Sequence, residues 1–305
     1  MEKRWDVLGI GVAAVDDLLY VDQYPQPDQK IPVKESRRQG GGLTATALVT
    51  VARLGGKAGY CARLGEDELS LYTLQELERE GVDCHQVQRS QGVRPFYSVI
   101  INDLSTGTRT IFYSGQGYCE PDAEWVNEEL VENCKALLID SFAMRSGIRA
   151  AEFARAANIP VIVDAELPIH SGLDQLIRFA DHLIIGTGLG ASLTAQDDPP
   201  EMVRALASPG RACTVITAGE QGCWYAVRDG AVQHCQAYPV QVVDTTGCGD
   251  VFHGAYAAAL VVGESISRAI HIAAAAAAIK ATQPGGRNGI PNMNTILRFI
   301  EERPE

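Results

Sequence analysis

Residues 244–250 read D-T-T-G-C-G-D, and they run directly into V-F-H-G-A-Y-A-A-A-L at 251–260. The small and apolar residues of the second stretch predict a helix packed on most of its sides, over 250–262. An acidic, glycine-rich turn therefore opens a buried helix. With Asp250 in the first turn, the amides of Gly247, Cys248 and Gly249 point into the space ahead of the helix. Together with the positive end of the helix dipole they form a pocket for an anion. A carboxylate beside such a pocket is repelled by its occupant, so its presence needs a chemical reason. A base that takes a proton from an attacking hydroxyl supplies one. The competing explanation is that Asp250 only caps the helix.

Two further glycine turns weigh against a mere cap. T-A-G-E-Q-G at 217–222 follows the apolar strand C-T-V-I-T, at the strand end where open α/β sheets bind ligands. Q-G-G-G at 39–42 leads into a helix predicted over 43–54. Two other stretches imitate a dinucleotide fingerprint, G-I-G-V-A-A at 9–14 and G-T-G-L-G-A at 186–191. The first continues as a strand, and the second is cut short by D-D-P-P, so neither supplies the long helix and acidic partner that the fingerprint requires. The only G-K pair, Gly56-Lys57, is followed by Ala58, which removes a Walker-type loop.

The remainder of the chain is read as the frame for these turns. Strands over 5–12, 59–65, 136–140, 161–164, 182–186 and 213–217 alternate with helices over 43–54, 69–80, 147–157, 174–180 and 200–207. Such alternation builds a mostly parallel sheet covered by helices on both faces. Two segments depart from it, 17–38 and 95–113, where apolar and polar residues alternate as in exposed strands. They are expected to form a small accessory sheet, leaving 1–16, 39–94 and 114–305 as the α/β core. A hairpin over 222–238 and a last helix over 265–280 complete the expectation.

Composition narrows the function. The formal net charge of −12, without any concentrated basic face, argues against nucleic acid or an anionic membrane as partner. Eight cysteines are scattered with no C-x-x-C pair, so neither a zinc nor a redox motif is indicated. No signal-like or membrane-spanning apolar run is present, and a cytoplasmic location is expected.

On these motifs the chain resembles the ribokinase family of sugar kinases, also called the PfkB family. The resemblance is carried by D-T-T-G-C-G-D-V-F-H-G-A at 244–255, by G-G-G-L-T-A-T-A-L-V-T-V-A-R-L-G-G at 40–56 and by R-L-G-E-D at 63–67. P-G-G-R-N-G-I-P at 284–291 makes it most similar to the branch of sulfofructose kinase and related ketose kinases. The resemblance implies a ribokinase-like three-layer α/β/α fold in which the accessory sheet acts as a lid. It implies Asp250 as catalytic base and the 247–249 amides as the hole for the transferred phosphoryl group. Asp16, Gly41, Gly42 and Thr46 fall where the family contacts the sugar, and Thr217, Gly219 and Gly222 line the ATP site together with Gly247 and Gly249. Asp244 and Thr246, with the loop 281–287, fall where many members hold K⁺, and that loop flanks the adenine.

Three departures from the family pattern stand out: Cys248 in place of Ala, Thr46 in place of the ribokinase Asn, and G-T-G-L at 186–189 in place of the magnesium-organising N-x-x-E. Glu166 or Asp164 could take over that last task. His253 is expected to be a packed or solvent-facing histidine. Arg287 either reaches a substrate anion or stays solvated.

The expected activity is ATP- and Mg²⁺-dependent phosphorylation of a small sugar, a ketose or ketose derivative, at a primary hydroxyl. The expected assembly is a homodimer through the lid, using Tyr97, Phe112 and Tyr113. The alternatives are a nucleoside kinase on the same fold and a non-catalytic sensor of sugar or nucleotide.

Overall fold

A computed structural model describes residues 3–303. The large sheet has nine strands: β1 (Trp5–Ile10), β4 (Ala58–Leu64), β5 (Asp83–Arg89), β8 (Cys134–Asp140), β9 (Val161–Ala165), β10 (His182–Gly186), β11 (Cys213–Thr217), β12 (Cys223–Val227) and β13 (Gln233–Cys235). Their order in space is β13-β12-β11-β10-β9-β8-β1-β4-β5. Seven of these strands, from β11 across to β5, pair in parallel, and β12 and β13 add an antiparallel edge. The chain leaves β1 toward β4 on one side and returns to β8 on the other. The order therefore reverses between β1 and β8, and a crevice opens beyond their carboxyl ends.

Strand periodicity divides the core in two. Val7, Ala136 and Leu138 face one side of the sheet, where they meet α1 (Leu43–Arg53), α8 (Cys248–Val261) and α9 (Ile266–Ala281). Leu8, Ile10, Leu137 and Ile139 face the other side, against α3 (Glu128–Glu132), α4 (Met144–Ala156), α5 (Leu173–Phe179), α6 (Thr187–Thr194) and α7 (Pro199–Leu206). Two-residue alternation on buried strands thus yields three layers. Two more helices flank them, α2 (Glu68–Arg79) and α10 (Met293–Glu301). Pattern reading had not drawn out β5, α3 or α10, all of which are short or only partly buried.

The second sheet has four strands, β2 (Ala14–Val21), β3 (Glu35–Gly41), β6 (Phe96–Asp103) and β7 (Thr108–Ser114), in the order β3-β2-β6-β7. It reaches further into the crevice than the exposed-strand pattern indicated. Its β2 begins at Ala14 and its β3 runs to Gly41, so Asp16 and Gly41 lie on its strands. Every residue of β7 is exposed, with Phe112 at 53% and Tyr113 at 65%. No helix among the described residues is long and apolar enough to cross a membrane.

Close helix packing explains the small residues of the 251–260 stretch. Gly254 of α8 lies against α1 so tightly that a Cβ there would stand 2.2 Å from the Ala47 carbonyl and 2.6 Å from the Thr50 Cβ. Ala255, Ala257 and Ala259 are fully buried on the same helix. Gly254→Ala is expected to destabilise the fold by about 1–3 kcal/mol through overpacking. Denaturant titration would show it as a lower midpoint at an unchanged slope.

Candidate active site

At the switch point the carboxylate of Asp140, the last residue of β8, is completely buried. One oxygen accepts the Val12 amide at 2.6 Å and the Thr44 hydroxyl at 2.8 Å, and the other accepts the Phe142 amide at 2.9 Å. Asp140 thereby joins the end of β1, the start of α1 and the loop after β8. Gly11 is required here, because a Cβ would sit 2.1 Å from the Asp140 carboxylate. Sequence reading missed this residue. The only signal was an acid ending an otherwise apolar strand.

Above this junction lies a cavity of about 420 Å³. The described strands and helices bring Asp16, Gly41, Gly42, Thr46, Thr246, Gly247 and Asp250 together in its wall, although they come from widely separated parts of the chain. Phe96, Phe142 and Tyr113 give it an aromatic side, and Arg109 reaches in from β7. Thr217, Gly219 and Gly222 lie outside that wall, at the carboxyl end of β11 and the short 3₁₀ turn Gly219–Gln221. Gly222 (φ 83°) packs against β13, where a Cβ would meet the Cys235 carbonyl at 2.1 Å.

Helix α8 begins at Cys248, so Asp250 stands in its first turn at the cavity. Gly247 caps the helix with φ 75°, and its Cα faces the 284–290 loop so closely that a Cβ would meet the Gly286 carbonyl at 2.8 Å. Only glycine fits that conformation and approach. The three amides do not behave alike. That of Cys248 donates to the Thr245 carbonyl at 3.2 Å, whereas no turn or cap bond takes up those of Gly247 and Gly249. Of the three amides expected to form an anion pocket, that of Cys248 is engaged by its own turn. Its thiol points away toward the Ala277 carbonyl, at 3.5 Å.

Negative charge is crowded here. Burial, and then the charges of Asp164 and Glu166, push the Asp250 carboxyl well above the usual carboxylate range; His253 and Arg287 pull in the opposite direction. Burial also raises Asp16, to about 6, opposed by a hydrogen bond from Ser98 and by the Arg287 charge. Glu166 is exposed at the cavity wall, while Asp164 is buried behind it with Oδ2 lacking a well-formed hydrogen bond.

Arg287 and His253 are both interior, His253 as the packed alternative expected for it. Arg287 is only 5% exposed, and it donates from Nη2 to the Gly41 carbonyl at 2.8 Å and from Nε to the Thr46 hydroxyl at 3.2 Å. It is not solvated; it braces the side of the cavity formed by Gly41 and Thr46. His253 is buried with Nδ1 2.8 Å from the Gly249 carbonyl and Nε2 2.9 Å from the Ile184 carbonyl, and it lies 3.2 Å from Asp164. It ties α8 to the end of β10.

Asp244 does not face the cavity. Its carboxylate accepts the Thr246 and Gly285 amides, each at 2.8 Å, and its carbonyl accepts Lys280 Nζ at 2.8 Å. Of the oxygens expected to hold K⁺, those of Asp244 each hold a hydrogen bond already, whereas Thr246 Oγ1 is buried without a partner among the described residues. Among the described residues, no three His, Cys, Asp or Glu side chains are grouped to hold a metal. A magnesium ion in this cleft would be held by few protein oxygens together with substrate phosphates, the usual arrangement for Mg²⁺. The Glu166 carboxylate at the cavity wall and the surplus of negative charge around it fit that role.

A family model described as pfkB family carbohydrate kinase matches residues 7–293. A 5-dehydro-2-deoxygluconokinase of Clostridium beijerinckii is 23% identical, over 99% of this chain and 95% of its own length. Fructokinase-1 of Oryza sativa subsp. japonica is 29% identical over 86% of this chain and 88% of its own. Among solved structures, an Agrobacterium tumefaciens protein assigned as a ribokinase superposes with a TM-score of 0.90 at 27% identity, covering 99% of this chain and 98% of its own. An Escherichia coli protein assigned as ribokinase II, in complex with ATP and Mg²⁺, superposes with a TM-score of 0.84 at 21% identity, covering 99% and 100%. This chain belongs to the pfkB family of carbohydrate kinases and has its ribokinase-like fold.

The role of Asp140 has a direct test. Asp140→Asn replaces one acceptor oxygen by an NH₂ facing groups that donate, and the loss should be about 2–4 kcal/mol. Chemical denaturation compared with Asp140→Ala would check whether donor–donor conflict adds to the lost bonds.

Proposed function

We propose that this carbohydrate kinase transfers the γ-phosphoryl group of ATP to a primary hydroxyl of a small sugar, a ketose or ketose derivative. The observation that carries the reading is Asp250 in the wall of the acceptor cavity, in the same helical turn as the unengaged Gly247 and Gly249 amides. The fructokinase relative supports a ketose acceptor, and the ATP and Mg²⁺ complex of a protein of the same fold supports the donor.

In this mechanism Asp250 accepts the proton of the sugar hydroxyl as its oxygen forms a bond to the γ-phosphorus. The bond from that phosphorus to the β-phosphate bridging oxygen breaks, and ADP leaves with the electron pair. A raised Asp250 pKa makes the carboxylate a better proton acceptor. The Gly247 and Gly249 amides receive the charge on the transferred group. Mg²⁺, when bound, neutralises charge on the β- and γ-phosphates, and Glu166 is the residue proposed to hold it, through water. Asp16, Gly41, Gly42 and Thr46 orient the sugar. Thr217, Gly219 and Gly222 bound the nucleotide, over the ends of β10 and β11. The four-stranded sheet closes over the cavity as a lid that excludes water. Its exposed edge strand β7, which carries Phe112 and Tyr113 on opposite faces, meets that of a second copy.

A panel of ketoses, aldoses and nucleosides with coupled ADP detection tests the acceptor class. Turnover of nucleosides in preference to every sugar would overturn the reading. Asp250→Asn should reduce kcat by about 100- to 10,000-fold while leaving ATP affinity unchanged; full activity in that variant would remove Asp250 from its role. The pH dependence has a defined sign. Asp16, raised to about 6, loses its negative charge as pH falls through that value. Acceptor kcat/KM should therefore decline on the acid side near pH 6, and that limb should change shape in Asp16→Asn.

A further inference from the structure

Lys280 is the penultimate residue of α9, and its side chain is fully buried. An ammonium removed from water costs several kcal/mol unless opposite charge or hydrogen bonds compensate. Among the described residues, the one protein acceptor of its hydrogen bonds is the Asp244 carbonyl, at 2.8 Å, and it forms no ion pair within contact distance. Burial lowers its pKa; Cys248, Asp244 and Asp250, acting through space, raise it, and Arg109 opposes them. A cation in that setting is a poor stabiliser of the fold alone.

Its surroundings show what it serves. The Val243 and Asp244 amides donate to the Ala281 carbonyl, at 2.8 and 3.1 Å, so the D-T-T-G loop is hung from the carboxyl end of α9. The Asp244 carboxylate fastens the Thr246 amide on one side and the Gly285 amide on the other. Gly286 then presses on Gly247, the cap of α8. Helix-terminal carbonyls and a carboxylate converge there, an oxygen-rich place that favours one positive charge. The donor set does not favour a free K⁺ in addition: the Asp244 carbonyl holds the ammonium, each carboxylate oxygen already holds an amide, and the buried Thr246 Oγ1, the one oxygen of the turn without a partner among the described residues, is too little to offset repulsion by a fixed ammonium.

We propose that the Lys280 ammonium is a built-in monovalent cation: it occupies the place of K⁺ beneath the anion loop and makes this kinase independent of added monovalent cations. The proposal rests on the reading of residues 244–250 as the phosphoryl-binding loop. Lys280 is a positioning residue, since it acts on the loop through Asp244.

The experiment compares wild type and Lys280→Met in choline chloride and in KCl at equal ionic strength, reading turnover, ATP affinity by calorimetry and thermal midpoint. Wild type is expected to change by less than about twofold in turnover between the salts, with no shift in midpoint. Lys280→Met is expected to lose about tenfold or more in choline, the scale of a lost charge-assisted contact, and to regain turnover, ATP affinity and midpoint in KCl. A variant equally impaired in both salts would make Lys280 merely structural and overturn the proposal. Strong activation of the wild type by KCl would overturn it as well. Should Lys280→Met not fold, that wild-type comparison decides, and Lys280→Gln provides a second variant. Should the wild type phosphorylate no sugar, the functional reading falls, while the ATP affinities and thermal midpoints still decide the role of Lys280.

Discussion

The structure depends on the buried carboxylate of Asp140. Seven parallel strands can be laid side by side by hydrophobic burial alone, but burial does not specify how the loops beyond β1 and β8 are tied where the strand order reverses. Asp140 does so by accepting from Val12, Thr44 and Phe142 at once. These are the segments from which the cavity is built: the strand carrying Asp16 follows Val12, and the helix carrying Thr46 begins beside Thr44. A carboxylate is suited to the task because it only accepts, so every neighbouring donor can be satisfied without rotation of the side chain. The cost is a buried charge, visible as a pKa raised by desolvation against the bonds that lower it.

From that junction upward the site is a problem of charge balance. Asp250, Asp164, Glu166 and Asp16 all have carboxyls raised by burial or by one another. Two buried cations stand on opposite sides, Arg287 next to the acceptor residues and Lys280 beneath the anion loop. Both come from the 280–287 region, which also supplies Gly285 to Asp244 and Gly286 to Gly247. One turn at the end of α9 therefore serves both halves of the cleft. The negative excess that remains near Asp250 and Glu166 suits a site that receives a divalent cation with its substrate.

Much of this was legible in the chain. The alternation of apolar runs and amphipathic stretches specified the α/β layers, and the glycines at 41, 42, 219, 222 and 247 marked turns that need close approach or, at four of the five, a positive φ. Asp250 was legible because an acid at the start of a buried helix conflicts with an anion pocket. Asp140, His253 and Lys280 were not. In sequence each is an ordinary residue on an apolar element, and nothing local tells a buried, bonded polar group from an exposed one. Arg287 was misread for a related reason, since a glycine-rich loop reads as solvated until its packing against β3 and α1 is known.

The sequence by itself determined the layer architecture, the glycine turns and the family, and it singled out Asp250, because periodicity and short motifs are local properties that survive without a fold. Only the tertiary structure decided which amides remain unengaged, which cations are buried and which oxygens of the 244–246 turn already hold a donor. Those outcomes depend on groups far apart in the chain meeting within about 3 Å, the range at which hydrogen bonds and buried charges act.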